Sequence, residues 1–89
     1  MENEISYTQA DLKLLGSPYM IPEGASLKVR YELVGSIFKA QVIQIGLKHE
    51  IKKSQVYGRT ITGADALHAD WRSLSDFVVK NALESPPFV

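Results

Sequence analysis

The alternation of apolar and polar residues is unbroken in the stretch Ser26-Leu27-Lys28-Val29-Arg30-Tyr31-Glu32-Leu33. Successive side chains of a β-strand point to opposite faces of its sheet, so this pattern predicts a strand with one buried and one solvated face. Val34-Gly35-Ser36 follows as a predicted tight reversal, because Gly35 can adopt the positive φ that hairpin turns need. The stretch therefore indicates the first strand of an antiparallel sheet.

Three further segments continue the predicted sheet. Ile37–Ile45 is rich in β-branched residues and has apolar residues on both faces, which is typical of a central or strongly bent strand. After Gly46, Leu47–Lys53 predicts a third strand, and Val56–Thr62 predicts a fourth strand that Gly58 interrupts. The expected sheet is a meander of three or four strands.

Helical signals flank the predicted sheet. Thr8 is a predicted N-cap with Asp11 as its capping-box partner, and Gly16 is expected to end this first helix. A short helical turn is predicted from Thr62 to Leu67. The chain therefore enters and leaves the sheet through helical segments.

The last third of the chain predicts a longer helix. Ser73-Leu74-Ser75-Asp76 has the form of a capping box, and Pro86-Pro87 prevents the helix from continuing past about Glu84. The apolar residues that recur at helical spacing are Leu74, Phe77, Val78 and Ala82. The aromatic residues expected in the core are Tyr31, Phe38, Trp71 and Phe77.

The composition fits one globular domain. The 89 residues provide for a single core, which is expected to span about residues 8–84 of a domain covering 1–89. Hydrophobic residues make up 45% of the chain and charged residues 22%, which argues against disorder. The chain has no Cys, and this excludes disulfides, thiolate metal sites and Cys nucleophiles. The predicted fold is α+β: a small bent antiparallel sheet of three to four strands, flanked by an N-terminal and a C-terminal helix.

The charges cancel over the whole chain but not along it. Ten Lys and Arg balance ten Asp and Glu, whereas residues 25–59 carry seven Lys and Arg against two Glu. A cationic sheet face can neutralise phosphates, which predicts nucleic-acid binding. An ordinary solvated face is the alternative, since the pI of 6.7 lies below the value of about 9 that is usual for nucleic-acid binders. The predicted contact residues are Lys28, Arg30, Lys39, Lys48, Lys52, Lys53 and Arg59.

A second functional interpretation uses the apolar residues of the second strand. Ile37, Ile43 and Ile45 lie on the face opposite Phe38 and Val42. If they are exposed, a contiguous apolar patch would mark the interface of a protein–protein adaptor or of a homodimer. If the helices cover them, the charged face is what remains for function.

The order of these elements resembles the RAMA domain, which is found with adenine methylases of restriction systems and in some eukaryotic chromatin-associated proteins. The family's hairpin has the pattern Tyr-x-Gly-x-x-Phe-x-Ala, and Tyr31, Gly35, Phe38 and Ala40 follow it with two extra residues before the Gly. The family's last helix begins with an aromatic residue, any residue, then Ser-Pro-Ser-Ala-Trp. The corresponding segment here is Trp71-Arg72-Ser73-Leu74-Ser75-Asp76-Phe77.

The resemblance covers about residues 8–83, but residues 54–70 have no counterpart in the family. It implies recognition of DNA, including adenine-modified DNA, or of a chromatin-associated partner. The resulting prediction is a non-catalytic recognition module in a DNA- or chromatin-associated complex. The protein–protein adaptor described above is its alternative.

Signals for catalysis are sparse. His68 with Asp65 and Asp70 groups one imidazole and two carboxylates within six residues, but without a zinc-type spacing, and His49 is remote in sequence. The chain has no Gly-rich phosphate-binding motif. We therefore predict no enzymatic activity, no catalytic residue, no metal site and no cofactor.

The N-terminal sequence and the apolar runs bear on localisation. Met1-Glu2-Asn3-Glu4-Ile5 lacks the basic and apolar regions of a signal peptide, and the apolar runs are too short to span a bilayer. The prediction is a soluble intracellular protein without a membrane partner, nuclear if its source is eukaryotic.

Overall fold

The structure is a computed structural model that describes residues 2–89. It confirms the predicted α+β class: an antiparallel sheet with helices packed on it. The elements in chain order are β1 (Glu2–Tyr7), α1 (Gln9–Leu14), β2 (Ser26–Val34), β3 (Ile37–Ile45), β4 (Ile51–Lys53), β5 (Tyr57–Thr60), α2 (Gly63–Leu67) and α3 (Trp71–Leu83).

The β2–β3 hairpin forms the centre of the sheet, and its two strands confirm the alternation in the sequence. Val29 lies directly opposite Val42, and both side chains are fully buried. Gly35 takes a φ of 62° at the reversal, a conformation that a side chain would strain. Leu27 is also buried, so one face of β2 lies in the core as predicted.

The sequence did not predict β1. This strand pairs antiparallel with β2 and places Ile5 opposite Val29. Its polar residues, Glu and Asn, are uncommon in strands, so local preference does not indicate it. The burial of Tyr7 at 3% exposure shows why the strand forms, because β1 adds an aromatic side chain to the core.

The third and fourth predicted strands are both shorter than expected and lie along the same side of β3. β4 pairs with the end of β3 and β5 with its beginning, and the registers differ by one residue. Ser54 occupies the break: its N–H donates to Val42 O at 2.9 Å, and its Oγ accepts from Val42 N–H at 3.0 Å. The two strands are thus one edge, interrupted by a bulge and not paired with each other. We call β4, residues 54–56 and β5 the broken edge.

The helix start at Thr8 is confirmed. Thr8 Oγ1 accepts from Asp11 N–H at 3.2 Å and Thr8 N–H donates to Asp11 Oδ2 at 2.8 Å, which completes the capping box. The predicted turn after Thr62 is confirmed as α2, with Thr62 Oγ1 accepting from Asp65 N–H.

The predicted capping box at Ser73 is wrong, although the helix itself is confirmed. α3 begins at Trp71, and Asp70 is its N-cap, accepting from Arg72 N–H at 3.1 Å and Ser73 N–H at 3.2 Å. Asp caps a helix as well as Ser does and comes earlier in the chain. Phe77 is 69% exposed, contrary to its predicted place in the core. The buried residues of α3 are Ser75, Val78, Val79, Ala82 and Leu83.

One face of the sheet carries the core, and among residues 2–89 no helix packs on the other face. α1, α3 and the C-terminal residues pack on the face formed by Val29 and Val42, and the ring of Phe88 meets Tyr19 edge-on at 5.7 Å. We call the opposite side, to which Lys28 belongs, the open face. None of the helices in residues 2–89 has the length and hydropathy needed to cross a membrane.

Candidate functional site

The seven cations predicted to contact nucleic acid do not share one surface. Lys52 and Arg59 are paired with Gln44 and Phe38, whose side chains are buried, so alternation places both cations on the helix-covered side of the sheet. Lys48 lies in the turn after β3. The four that belong to the open face are Lys28, Arg30, Lys39 and Lys53.

Glu4 neutralises two of the cations on the open face. Its carboxylate accepts from Arg30 Nη2 at 3.0 Å, from Arg30 Nε at 3.1 Å and from Lys28 Nζ at 3.3 Å. The hydrogen bonds from Arg30 and then from Lys28 hold the pKa of Glu4 below its ordinary value. Sequence reasoning missed this partner because Glu4 belongs to β1, which was not predicted.

The rest of the open face is of mixed charge. Lys39 lies directly across the strand pair from Glu32. These two residues, together with Arg30, Gln41 and Val56, line a shallow hollow of about 430 Å³. A phosphate that entered this hollow would meet the Glu32 carboxylate beside the two cations, so the hollow lacks the uniform positive charge of a phosphate-binding surface.

The three isoleucines of the alternative interface do not form a contiguous exposed patch. Ile43 is only 3% exposed although no helix covers it, because its cross-strand neighbours Lys28 and Lys53 can lay their aliphatic stems over it. Ile37 is 44% exposed and Ile45 is half-buried. These two lie eight residues apart on β3, or roughly 27 Å at about 3.4 Å per residue. Ile43 is therefore not available to a partner, contrary to its place in the predicted interface.

Exposed apolar side chains lie instead along the broken edge. Ile51 in β4 is 59% exposed, Val56 beside the bulge is 58% exposed, and Leu47 in the preceding turn is 72% exposed. The alternation in β2 and β3 does not predict this feature, because it belongs to short segments with poor periodicity.

A groove lies between β5 and α3, on the helix-covered side of the broken edge. Its volume is about 230 Å³, and its walls are formed mainly by Tyr57 and Arg59 from β5 and by Leu74 and Phe77 from α3. We call it the edge groove. Arg59 and Leu74 also line a second hollow of about 250 Å³ beside α2, so the two depressions adjoin.

A partly buried polar cluster connects α3 to the N-terminal elements. Tyr7 Oη donates to Asp76 Oδ1 at 2.6 Å and lies 2.7 Å from Ser75 Oγ. The guanidinium of Arg72 lies 4.6 Å from the centre of the Tyr7 ring and pairs with Asp76 at 3.0 Å and Asp11 at 3.4 Å. Burial, followed by the hydrogen bond to Asp76, raises the pKa of Tyr7. The tyrosine therefore remains a neutral donor, and Ser75 is an anchor and not a helix cap.

The residues around His68 serve the helix ends. Asp65 bonds to Thr62 Oγ1 at 2.9 Å in the cap of α2, and Asp70 caps α3. Hydrogen bonds from Ser73 hold the pKa of Asp70 below its ordinary value. Across the described part of the chain, no group of three or more His, Asp or Glu side chains is arranged to hold a metal ion.

Comparison with known proteins gives no match to a family model, a curated protein or a solved structure. The residues that carry the resemblance to the RAMA domain lie in the β2–β3 hairpin and at the start of α3. Membership of that family stays a prediction from the sequence, and the functional argument rests on the surfaces described above.

Proposed function

We propose that this chain is a non-catalytic protein-interaction module that binds a partner protein along the broken edge. The observation that carries the proposal is that Ile51 and Val56 on the broken edge, and Leu47 in the turn before it, are each more than half exposed. Single exposed apolar residues are common on monomers, whereas a group at one edge is typical of an interface.

The charge distribution also supports a protein partner. Four of the seven candidate cations lie on the open face, and Glu4 and Glu32 lie among them. Protein–protein interfaces tolerate such mixed polar rims around an apolar centre, whereas nucleic-acid surfaces need a surplus of cations. The formal net charge of zero agrees with this interpretation.

Nucleic-acid recognition, as the RAMA resemblance implies, is the second candidate. The observation that favours it is that Lys28, Arg30, Lys39 and Lys53 still lie on the same uncovered face. If this candidate is correct, binding to duplex DNA weakens with salt according to the number of phosphates contacted.

The test uses three immobilised versions of the chain, the wild type, an edge variant and a control variant, to capture proteins from a lysate of the source organism. The edge variant carries Ile51→Thr and Val56→Thr, which remove apolar surface while keeping strand preference. The control carries Leu14→Gln and Leu67→Gln, which change two residues that lie away from the edge and are more exposed than Ile51 and Val56. We expect quantitative mass spectrometry to find a partner that the wild type and the control retain and the edge variant loses. Equal capture by all three would contradict the proposal.

A salt series with duplex DNA and with RNA separates the second candidate. If the proposed function is correct, we expect neither DNA nor RNA to bind with an affinity that falls steeply as the salt concentration rises. A slope of several units, reduced by Lys28→Glu or Lys39→Glu, would favour nucleic-acid recognition over the proposed function.

A further inference from the structure

We infer that the outer side of β5 accepts an extended peptide strand of a partner protein, and that the edge groove receives an apolar side chain of that strand. This inference rests on the proposed function and names the site and the form of the partner. An added strand gains main-chain hydrogen bonds from a sheet edge and specificity from the pockets that meet its alternate side chains.

The first argument is the hydrogen bonding of β5. Ile61 N–H donates to Ser36 O at 2.7 Å, and antiparallel alternation then directs the backbone groups of Arg59 and Tyr57 toward β3. The N–H and C=O groups of Gly58 and Thr60 therefore point away from the sheet. Within residues 2–89, β5 pairs with no strand other than β3, so these outward groups have no backbone partner.

The second argument is the position of the edge groove. Tyr57 and Arg59 alternate onto the same side of β5 as α3, so a strand added to β5 would direct every second side chain toward Leu74 and Phe77. Phe77 is 69% exposed in the free chain. A Leu, Ile or Phe of the partner strand would cover this ring and remove apolar surface from water on both sides.

The third argument is charge complementarity at Arg59. This side chain is exposed and makes no ion pair or hydrogen bond within the part of the chain that the structure describes. A carboxylate on the neighbouring strand would lie beside it and form an opposite-charge cross-strand pair. The partner segment that fits is therefore an extended peptide with a large apolar residue and an Asp or Glu two positions away.

The neighbouring part of the broken edge fits a peptide less well. The β4 part of the broken edge carries Lys52 and Lys53, and lysines are typical of edges that avoid strand addition. In β5, Gly58 offers no side chain, and a Cβ built there meets no atom within 4 Å. β5 itself carries no lysine, and Gly58→Ala can serve as a control that leaves the fold unchanged.

The experiment selects binders from a phage-displayed library of random twelve-residue peptides on the wild-type chain. The most enriched peptide is synthesised, and its binding is measured by titration calorimetry and by NMR of the labelled protein. We expect enriched peptides with an apolar residue and an acidic residue at spacing two. Their binding should slow hydrogen exchange at the amides of Gly58 and Thr60.

Two pairs of variants test the geometry. Gly58→Pro removes an outward N–H that β3 does not use, and Gly58→Ala keeps it, so the Pro variant should bind about tenfold or more weakly and the Ala variant nearly as well as wild type. Phe77→Gln should also weaken binding, whereas Lys80→Gln on the same helix should not. Because Phe77 and Gly58 are exposed, circular dichroism should show both variants folded.

Three results would overturn the inference. Equal binding by Gly58→Pro and Gly58→Ala would exclude main-chain pairing at β5. Amide shifts confined to the open face would move the site elsewhere and leave the proposed function intact. A dimer that Gly58→Pro dissociates, detected by light scattering, would assign the edge to a second copy of this chain. The lysate measurement with the Ile51 and Val56 variant judges the proposed function separately, because it changes neither β5 nor the edge groove.

Discussion

The β2–β3 hairpin and the broken edge share the strand β3 but differ in how completely they are built. In the hairpin, nine consecutive residues of each strand are paired, and Leu27 and Val29 are at most 1% exposed. Along the broken edge, pieces of three and four residues pair with β3, and Ile51 and Val56 remain more than half exposed. The hairpin stabilises the domain, while the edge leaves backbone and apolar groups exposed.

The largest expected effect on stability comes from one substitution, Leu→Ala, made in the hairpin and compared with the same change in the turn that leads into the broken edge. Leu27→Ala should lower the free energy of unfolding by about 3 kcal/mol, because it removes a fully buried side chain and leaves a cavity. Leu47→Ala, in the turn that precedes β4, should lower it by less than about 0.5 kcal/mol. Urea unfolding of both variants measures the difference. Equal losses would mean that the turn leading into the broken edge carries as much of the core as the hairpin.

Ser54 at the bulge should give an intermediate effect. Ser54→Ala removes the oxygen that accepts from Val42 N–H and leaves that buried donor without its partner, which should cost about 1–2 kcal/mol. Ser36→Ala, at the exposed hairpin turn, is the matched control and should be nearly neutral. Urea unfolding checks both variants, and hydrogen exchange at Val42 should quicken only in the first. No change at Val42 would show that the bulge does not depend on the hydroxyl.

The exposed residues of the edge should have a small effect on stability. Ile51→Thr and Val56→Thr should each change the free energy of unfolding by less than about 0.5 kcal/mol, because both side chains already face water. Thermal unfolding of the two variants is the measurement. A large loss for either residue would indicate that its side chain supports the fold, and the edge would then not be free for a partner.

Glu4 should give the smallest effect, visible through its pH dependence. Because the pKa of Glu4 is lowered in the folded protein, its ion pairs stabilise the fold above the ordinary glutamate pKa of 4.5 and are lost as the pH falls through the lowered value. The difference in unfolding free energy between wild type and Glu4→Gln should therefore be small at neutral pH and vanish in acid. Since Glu4 and Arg30 are exposed and Lys28 is partly exposed, the difference should also shrink in high salt. A difference that grew as the pH fell would contradict this account of Glu4.

The sequence predicted the elements whose signals are local. The hairpin follows from alternation around Gly35, and α1 follows from Thr8 and Asp11, since both signals lie within a few residues of the structure they specify. The start of α3 was misplaced because Asp70 and Ser73 are both good caps, and only the packing of Ser75 against Tyr7 decides which residues face the core.

The candidate site was harder to predict because it depends on distant pairing. Glu4 can neutralise Arg30 only after β1 pairs with β2, and nothing in the polar residues of β1 indicates that pairing. The edge groove brings together Tyr57 and Phe77, which are twenty residues apart in the sequence. Tyr57 also follows a bulge that no turn signal in the sequence indicates. Alternation assigned Lys28 and Arg30 to the solvated face of β2, but charge counting could not assign the cations of the later segments to faces.

The contact between Tyr7 and Ser75 has a consequence for how the chain acquires its structure in the cell. The two residues are separated by 68 positions, so a ribosome that has synthesised Tyr7 must add 68 further residues before Ser75 is in place. Until then β1 can pair with β2, but its aromatic ring has neither Ser75 nor Asp76 to bind. A chain that is truncated or stalled before α3 would lack both hydrogen-bond partners of this ring, and the synthesis of α3 is the step that supplies them.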